Sequence, residues 1–206
     1  DKINRRDGIG DLAAKGVKAV SKQVGQDSEK FAIHVKGLEL AAHNIHANPH
    51  RALCYATSNR GACHLSGDEI SQQNFVAAVD SLGLCLFASD HNKWMIPGIS
   101  KKKMANLLTA ITGIEWNADK VMKTGERVFN LENMFNIREG FTRKDDSLPD
   151  RFFTEPFTSG PEKGAKLDRQ EFIELMDTFY ADRNWDIQTT RPSDEKLKSL
   201  GLGFTI

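Results

Sequence analysis

Apolar residues recur at helical spacing along most of the chain. Residues 9–24 carry one apolar stripe that ends before Gly25, which predicts an amphipathic helix. Residues 74–86 are apolar on almost every side, as in a helix buried within a large core. Each of four further helical stretches follows a residue that can cap a helix N-terminus: Ser100, Asn117, Asp168 and Ser193. The pattern predicts a mainly α protein built from irregularly arranged helices, with little or no sheet.

Three stretches lack helical periodicity. Large apolar side chains at Phe31, Ile33 and Val35 alternate with smaller or polar ones, which predicts a short strand ending at Gly37. Residues 41–51 contain three histidines, two asparagines and a proline and are predicted to be a loop, as are residues 140–166 with three prolines. The overlapping charge-rich run 138–150 predicts a salt-bridged loop, either at the surface or between domains.

The composition of the chain excludes several classes of function. The chain has 206 residues, with 28 Lys+Arg and 28 Asp+Glu, so its formal charge is zero. This balance excludes a bulk electrostatic attraction to nucleic acid or anionic lipid. No apolar run approaches the roughly 20 residues that span a bilayer, and the first residues lack a secretory apolar segment. Three cysteines do not suggest a disulfide scaffold, and we expect a reducing cytoplasm.

Cys85 is the first candidate for chemistry. A lone cysteine in an apolar segment is more often a small core residue than a ligand. An iron–sulfur cluster usually takes four thiolates, and the three cysteines of this chain cannot supply a complete set. Any cluster must therefore take ligands from outside this chain.

Histidines form the second group of candidates. His43, His46 and His50 have a spacing that on a helix could bind zinc or iron, but Pro49 is expected to interrupt a helix there. His64 follows small residues just before the buried segment and is either a hydrogen-bonded structural histidine or a proton carrier. The chain contains no Walker loop, dinucleotide-binding glycine motif, nucleophile elbow or zincin motif. The residues alone indicate a helical chain that is expected to be part of something larger.

Several segments, taken in order, resemble the C-terminal part of the tungsten-containing aldehyde:ferredoxin oxidoreductase family. The matching stretches cover nearly the whole chain and correspond to about the last third of a typical member. They are residues 35–40 (VKGLEL), 55–64 (YATSNRGACH), 80–85 (DSLGLC), 126–127, 130–131, 135–136, 138–146 (REGFTRKDD), 148–149 and 185–186.

The resemblance implies a tungsten, or molybdenum, held between two pterin dithiolenes beside a [4Fe–4S] cluster. Such enzymes oxidise aldehydes to carboxylic acids and pass two electrons to ferredoxin. Three cluster cysteines lie in a C-x₂-C-x₃-C segment that this chain does not contain. The fourth lies in an Asp-x-x-Gly-Leu-Cys motif matched by Asp80, Gly83, Leu84 and Cys85, so Cys85 would be a metal ligand. Asp80 and the adjoining backbone would contact a pterin through charge-assisted hydrogen bonds.

The same resemblance assigns roles to two histidines. His64 matches the histidine beside the tungsten, where an imidazole could polarise the aldehyde oxygen or carry a proton. His43 stands where the family usually has a tyrosine that in some members borders the substrate pocket, so His43 is a second candidate catalytic residue and the substrate class is open. Cys54 and Cys63 match no ligand position and are expected in the core.

The resemblance also suggests a division of the chain. Residues 1–40 would end a preceding helical domain and residues 41–206 would form the C-terminal helical domain. The pterin-binding β domain lies outside this sequence, so the chain alone is expected to be inactive. Two alternatives remain open: a reductase of acyl or aromatic thioesters within the family, and a non-catalytic helical interaction module.

The implied partners are an aldehyde, ferredoxin or another iron–sulfur carrier, and the N-terminal portion of the same enzyme. A second copy of the chain, in a homodimer, is a further candidate partner, whereas nucleic acid and membrane are not expected partners.

Overall fold

The computed structural model describes residues 1–90 and 98–206. Helices dominate these residues and strand is confined to one short hairpin, which confirms the expected mainly α class. The helices are α1 (Lys2–Arg5), α2 (Ile9–Ala13), α3 (Val17–Val24), α4 (Pro49–Thr57), α5 (Ile70–Ser81), α6 (Lys101–Thr112), α7 (Ala118–Arg138), α8 (Arg151–Thr154), α9 (Arg169–Asp182) and α10 (Asp194–Ser199). Short 3₁₀ turns occupy Ser28–Phe31, His64–Ser66, Leu86–Ala88, Arg143–Asp145 and Gly203–Thr205. Among the described residues, no helix has the length and apolar character needed to cross a membrane.

The chain forms two compact units, each made of two segments. Unit 1 comprises Asp1–His64 and Thr142–Thr178, and unit 2 comprises Leu65–Phe141 and Phe179–Ile206. The expected family-domain boundary at residue 40 stays a prediction, because compactness within this chain does not define the domains of a longer protein.

The N-terminal part of unit 1 differs from the predicted single helix over residues 9–24. The stripe is divided between α2 and α3, because Gly16 has a φ of +85° and breaks the helix between them. The predicted strand is shorter than expected and pairs with a second one. His34–Val35 (β1) and Leu38–Glu39 (β2) form an antiparallel hairpin, with Lys36 and Gly37 at positive φ in the two-residue turn.

Helix α4 corrects the prediction of a loop over residues 41–51. The side chain of Asn48 accepts a hydrogen bond from the Arg51 N–H at 2.9 Å and caps the helix, and Pro49 occupies its first turn. A proline is tolerated at that position because the first N–H groups of a helix have no intrahelical partner. Pro49 therefore begins a helix rather than interrupting one.

The buried ammonium of Lys36 connects the hairpin of unit 1 to the end of α4 and to Asp146. The Lys36 ammonium donates to the carbonyl oxygens of Ala56 at 2.8 Å and Ser58 at 3.1 Å, and it pairs with the Asp146 carboxylate. The two charged side chains are only 6% and 10% exposed. The charge of the run 138–150 favours an exposed position, but Asp146 within it is buried. Its burial is possible because the buried ammonium of Lys36 neutralises the carboxylate.

The core of unit 2 lies between α5, α6 and α7. Helix α5 ends at Ser81, not at residue 86, and its apolar residues Val76 and Val79 join a cluster with Met104 and Val121. Gly125 of α7 lies where α5 passes, since a Cβ there would be 1.7 Å from the Asn74 carbonyl oxygen. The glycine allows a closer approach of the two helices than any larger residue would.

The predicted helix caps are confirmed. The side chains of Ser100, Asn117 and Ser193 each accept a hydrogen bond from the backbone N–H three residues later. The Asp168 carboxylate likewise accepts from the N–H groups of Gln170 and Glu171 at the start of α9. Each cap satisfies N–H groups that the helix itself leaves without a partner.

Candidate functional site

Two of the predicted site residues meet in unit 1. The rings of His43 and His64, hereafter the imidazole pair, have centroids 4.7 Å apart and stand edge to face at 66°. His43 is exposed and His64 is partly buried. The two residues are 21 positions apart in sequence, so the fold, and not local geometry, brings them together.

A tyrosine of α4 completes this cluster. The Tyr55 hydroxyl lies 2.7 Å from Nδ1 of His43, within hydrogen-bond distance, and its ring is 6.5 Å from that of His64. Tyr55 is fully buried. A buried hydroxyl needs a hydrogen-bond partner, and His43 supplies one.

The backbone before His64 is held against the hairpin. Gly61 has a φ of +92°, and a Cβ there would lie 2.6 Å from the Val35 carbonyl oxygen. Only glycine fits so close an approach without displacing the backbone. From α4, Arg51 donates through Nη1 to the His64 carbonyl oxygen at 3.0 Å. The ring of His64 is thus presented from a backbone that is fixed on both sides.

The surroundings keep His64 neutral. Burial lowers the pKa of His64 from its ordinary value of 6.5, and charge on His43 and Arg51 lowers it further. Two positive charges 4.7 Å apart repel by about 1 kcal/mol in water and about 3.5 kcal/mol at a protein-like dielectric constant of 20. Protonation of His64 is therefore disfavoured, and the neutral imidazole of His64 can act as a proton acceptor.

The other predicted site residues lie in unit 2, in the last turn of α5 and in the segment directly after it. The N–H of Gly83 donates to the Asp80 carbonyl oxygen at 3.0 Å, and the N–H of Leu84 donates to the Val79 carbonyl oxygen at 3.2 Å. With Gly83 at a φ of +66°, this pair of bonds is a Schellman motif. Leu84 packs against the apolar cluster of unit 2, an apolar contact of the kind that often accompanies this motif.

The motif leaves its two polar side chains at the surface. Asp80 and Cys85 are both exposed, and Cys85 is a free thiol. The sulfur is thus open to ligands from outside this chain and is not a core residue. By contrast Cys54 is fully buried, as expected, whereas Cys63 is only partly so.

The proposed three-histidine metal spacing does not form a site. In the parts of the chain that the structure describes, no group of three or more His, Cys, Asp or Glu residues could hold a metal ion. The His46 ring instead packs on Phe152 and Phe157, at 5.0 and 5.3 Å, and its Nδ1 lies 2.7 Å from the Asn44 side-chain oxygen. It therefore serves local packing in unit 1.

Sequence analysis missed Tyr55 and Arg51 as parts of this site. Both lie on α4, a helix that the hydropathy pattern does not predict. With Pro49 placed in the first helical turn, Arg51 and Tyr55 are four residues apart and share one helix face. That spacing, read together with the Asn48 cap, was the available signal.

The amino-acid sequence is similar to those of known oxidoreductases. Residues 1–202 match the family model described as aldehyde ferredoxin oxidoreductase, domains 2 & 3. A tungsten-containing aldehyde ferredoxin oxidoreductase of Pyrococcus furiosus is 32% identical over 228 residues, which cover 98% of this chain and 36% of that protein. The aliphatic sulfonate oxidoreductase, WOR-like subunit, of the same organism is 29% identical over 220 residues, covering 98% of this chain and 33% of that protein. The chain thus spans about a third of the length of these relatives.

One solved structure shares the fold. The active site complex BamBC of benzoyl coenzyme A reductase, in complex with 1,5-dienoyl-CoA, aligns with a TM-score of 0.70 and 22% identity. The alignment covers 100% of this chain and 38% of that chain. At this identity the likeness shows the fold alone.

Proposed function

The chain belongs to the aldehyde ferredoxin oxidoreductase family, and we propose that it is the C-terminal part of an enzyme that oxidises an aldehyde to a carboxylic acid. The reaction consumes one water and releases two electrons and two protons, and the proposed electron acceptor is ferredoxin or another iron–sulfur carrier. The observation that carries this proposal is the imidazole pair, because a neutral His64 beside His43 can take up a released proton. The chain alone is proposed to be inactive.

The exposed side chains of unit 2 fit part of the tungsten–pterin and iron–sulfur centre implied by the family. The free thiol of Cys85 can supply one thiolate to a cluster whose other ligands come from polypeptide outside this chain. The Asp80 carboxylate can accept hydrogen bonds from pterin N–H groups. When bound, the centre would supply the oxidation chemistry and the path for electrons.

In this proposal His64 accepts a proton from the reacting substrate or donates a hydrogen bond to it. A neutral imidazole can accept a proton released as the aldehyde is oxidised, and a protonated one can donate a hydrogen bond to the aldehyde oxygen. His43, exposed beside it, borders the substrate and passes the proton toward solvent. The partial burial of His64 strengthens either interaction.

Replacing His64 tests its role. In the complete protein, His64→Ala is expected to lower kcat by about 10²–10⁴-fold, the usual contribution of a general acid or base, with tungsten still bound. His50→Ala is the matched control, because His50 is exposed on α4 and outside the cluster. Rates that are unchanged at every pH would remove His64 from the mechanism.

Replacing Cys85 tests the metal assignment separately. Cys85→Ser in the complete protein, purified without oxygen, is expected to lose iron and the visible absorption of the cluster. Cys63→Ser serves as the control, because Cys63 matches no ligand position. A full complement of iron in the Cys85→Ser protein would show that this thiol is not a ligand.

The two alternatives predict different results with the same protein. A thioester reductase would consume electrons with an acyl or aromatic thioester and leave aldehydes unchanged; this candidate is kept because His43 replaces a tyrosine usual at the pocket. An interaction module would bind neither tungsten nor iron. Metal analysis followed by assays with both substrate classes distinguishes all three.

A further inference from the structure

The contact between Tyr55 and His43 links a buried hydroxyl to the tautomer of the imidazole. The Tyr55 hydroxyl is fully buried, and it lies 2.7 Å from Nδ1 of His43. A neutral imidazole has one nitrogen that bears hydrogen and one that accepts it, and the hydrogen bond made by one nitrogen decides the form of the other. When the phenol donates to Nδ1, the neutral ring carries its hydrogen on Nε2.

We infer that Tyr55 is a positioning residue for the imidazole pair, whose buried hydroxyl fixes the ring orientation and the tautomer of His43 beside His64. What the pair is used for rests on the proposed function, whereas the tautomer rests on the contact itself. Arg51, on the same helix as Tyr55, donates to the His64 carbonyl oxygen, and its charge lowers the pKa of His64.

The inference explains why residue 55 is a tyrosine, although an aromatic ring without a hydroxyl would fill the same space. Phenylalanine would fill the volume of Tyr55 without adding a buried polar atom that must be satisfied. The hydroxyl reaches a partly solvated loop residue, His43, and joins it to the rigid helix α4. A side chain on a loop gains a defined orientation in this way, which a catalytic group requires.

The first experiment is spectroscopic. The complete protein is labelled with ¹⁵N-histidine, and the His43 resonances are assigned from a His43→Gln variant. We expect Nδ1 to lack hydrogen and to show the shift of a nitrogen that accepts a hydrogen bond, and Tyr55→Phe should move it to the position of a free nitrogen. Tyr180→Phe is the control, since it removes the hydroxyl of the other buried tyrosine of this chain, in unit 2. A His43 Nδ1 that carries hydrogen, or that is unmoved in Tyr55→Phe, overturns the inference.

A second experiment separates positioning from folding. Tyr55→Phe is expected to lower kcat by about 3- to 10-fold, the value of one neutral hydrogen bond, with KM unchanged. If Tyr55→Phe does not fold, incorporation of 3-fluorotyrosine keeps the ring and makes the hydroxyl a stronger hydrogen-bond donor. The His43 Nδ1 resonance should then move further from the position of a nitrogen without a hydrogen bond. No movement of this resonance overturns the inference.

The nitrogen spectra and the activity measurements can fail independently, so they distinguish the inference about Tyr55 from the proposed function. The nitrogen spectrum reports the Tyr55 contact whether or not the protein oxidises aldehydes. A protein without aldehyde oxidation but with the expected spectra contradicts the proposed function and leaves the tautomer assignment standing. A protein with full activity in Tyr55→Phe contradicts the positioning role.

Discussion

The ion pair between Lys36 and Asp146 gives the sharpest stability prediction. Lys36→Met removes a buried ammonium that contacts a carboxylate and two carbonyl oxygens, those of Ala56 and Ser58. Because Asp146 stays buried without its cation, unfolding of this region should become easier by about 3–5 kcal/mol. The double variant Lys36→Met/Asp146→Asn should recover about 1–3 kcal/mol, since the uncompensated charge is gone while the carbonyls still lack their donor.

Amide hydrogen exchange in the complete protein measures this effect locally. The protection of peptides covering α4 and the Arg143–Asp145 turn should fall by about two to three and a half orders of magnitude in Lys36→Met, at about 1.4 kcal/mol for each factor of ten. Lys18→Met is the control, because Lys18 is an exposed lysine of unit 1. A loss below about 1 kcal/mol in Lys36→Met, or a double variant equal to the sum of the two single variants, would refute the reasoning.

Two further predictions concern packing and pH. Gly125→Ala should destabilise unit 2 by about 1–3 kcal/mol despite alanine's better helix propensity, because the new Cβ would meet the Asn74 carbonyl oxygen. Hydrogen exchange of the α5 and α7 amides measures this loss, and Lys123→Ala on the exposed face of α7 is the control. Unchanged protection in Gly125→Ala would contradict the prediction. Unit 1 should lose stability as pH falls below about 6.5, because the unfolded chain then binds more protons than the folded one; exchange measured from pH 7.5 to 5 tests this, and flat protection would refute it. The cause is burial, which comes first among the effects that lower the pKa of His34, His46 and His64.

Local signals predicted local structure well. The Ser100 and Asn117 caps are visible in the sequence because the capping side chain and the N–H that it binds are three residues apart. Pro49 was misread as a helix breaker, although a proline in the first turn after Asn48 is compatible with a helix start. Gly16 was missed because the apolar stripe continues on both sides of the break.

Long-range contacts could not be predicted in the same way. Nothing in the hydropathy pattern connects Lys36 with Asp146, which are 110 positions apart, and charge alone favoured an exposed position for the carboxylate. The roles of His43 and His64 came from the family resemblance, and the structure adds that the two rings meet. Tyr55 was missed because its partner lies on the preceding loop, outside any helical spacing.

The Asp-x-x-Gly-Leu-Cys motif combines two residues that the helix end explains with two that helix-end geometry does not require. Gly83 supplies the positive φ of the turn after α5, and Leu84 packs into the core, so both are explained by the helix end. Asp80 places a carboxylate beside the partial negative charge of a helix C-terminus, which is unfavourable. Cys85 exposes a side chain that is usually buried when it is not bonded. Side chains that local energetics disfavour are expected at functional positions, so this helix end supports the proposal that Asp80 and Cys85 serve a centre completed by other polypeptide.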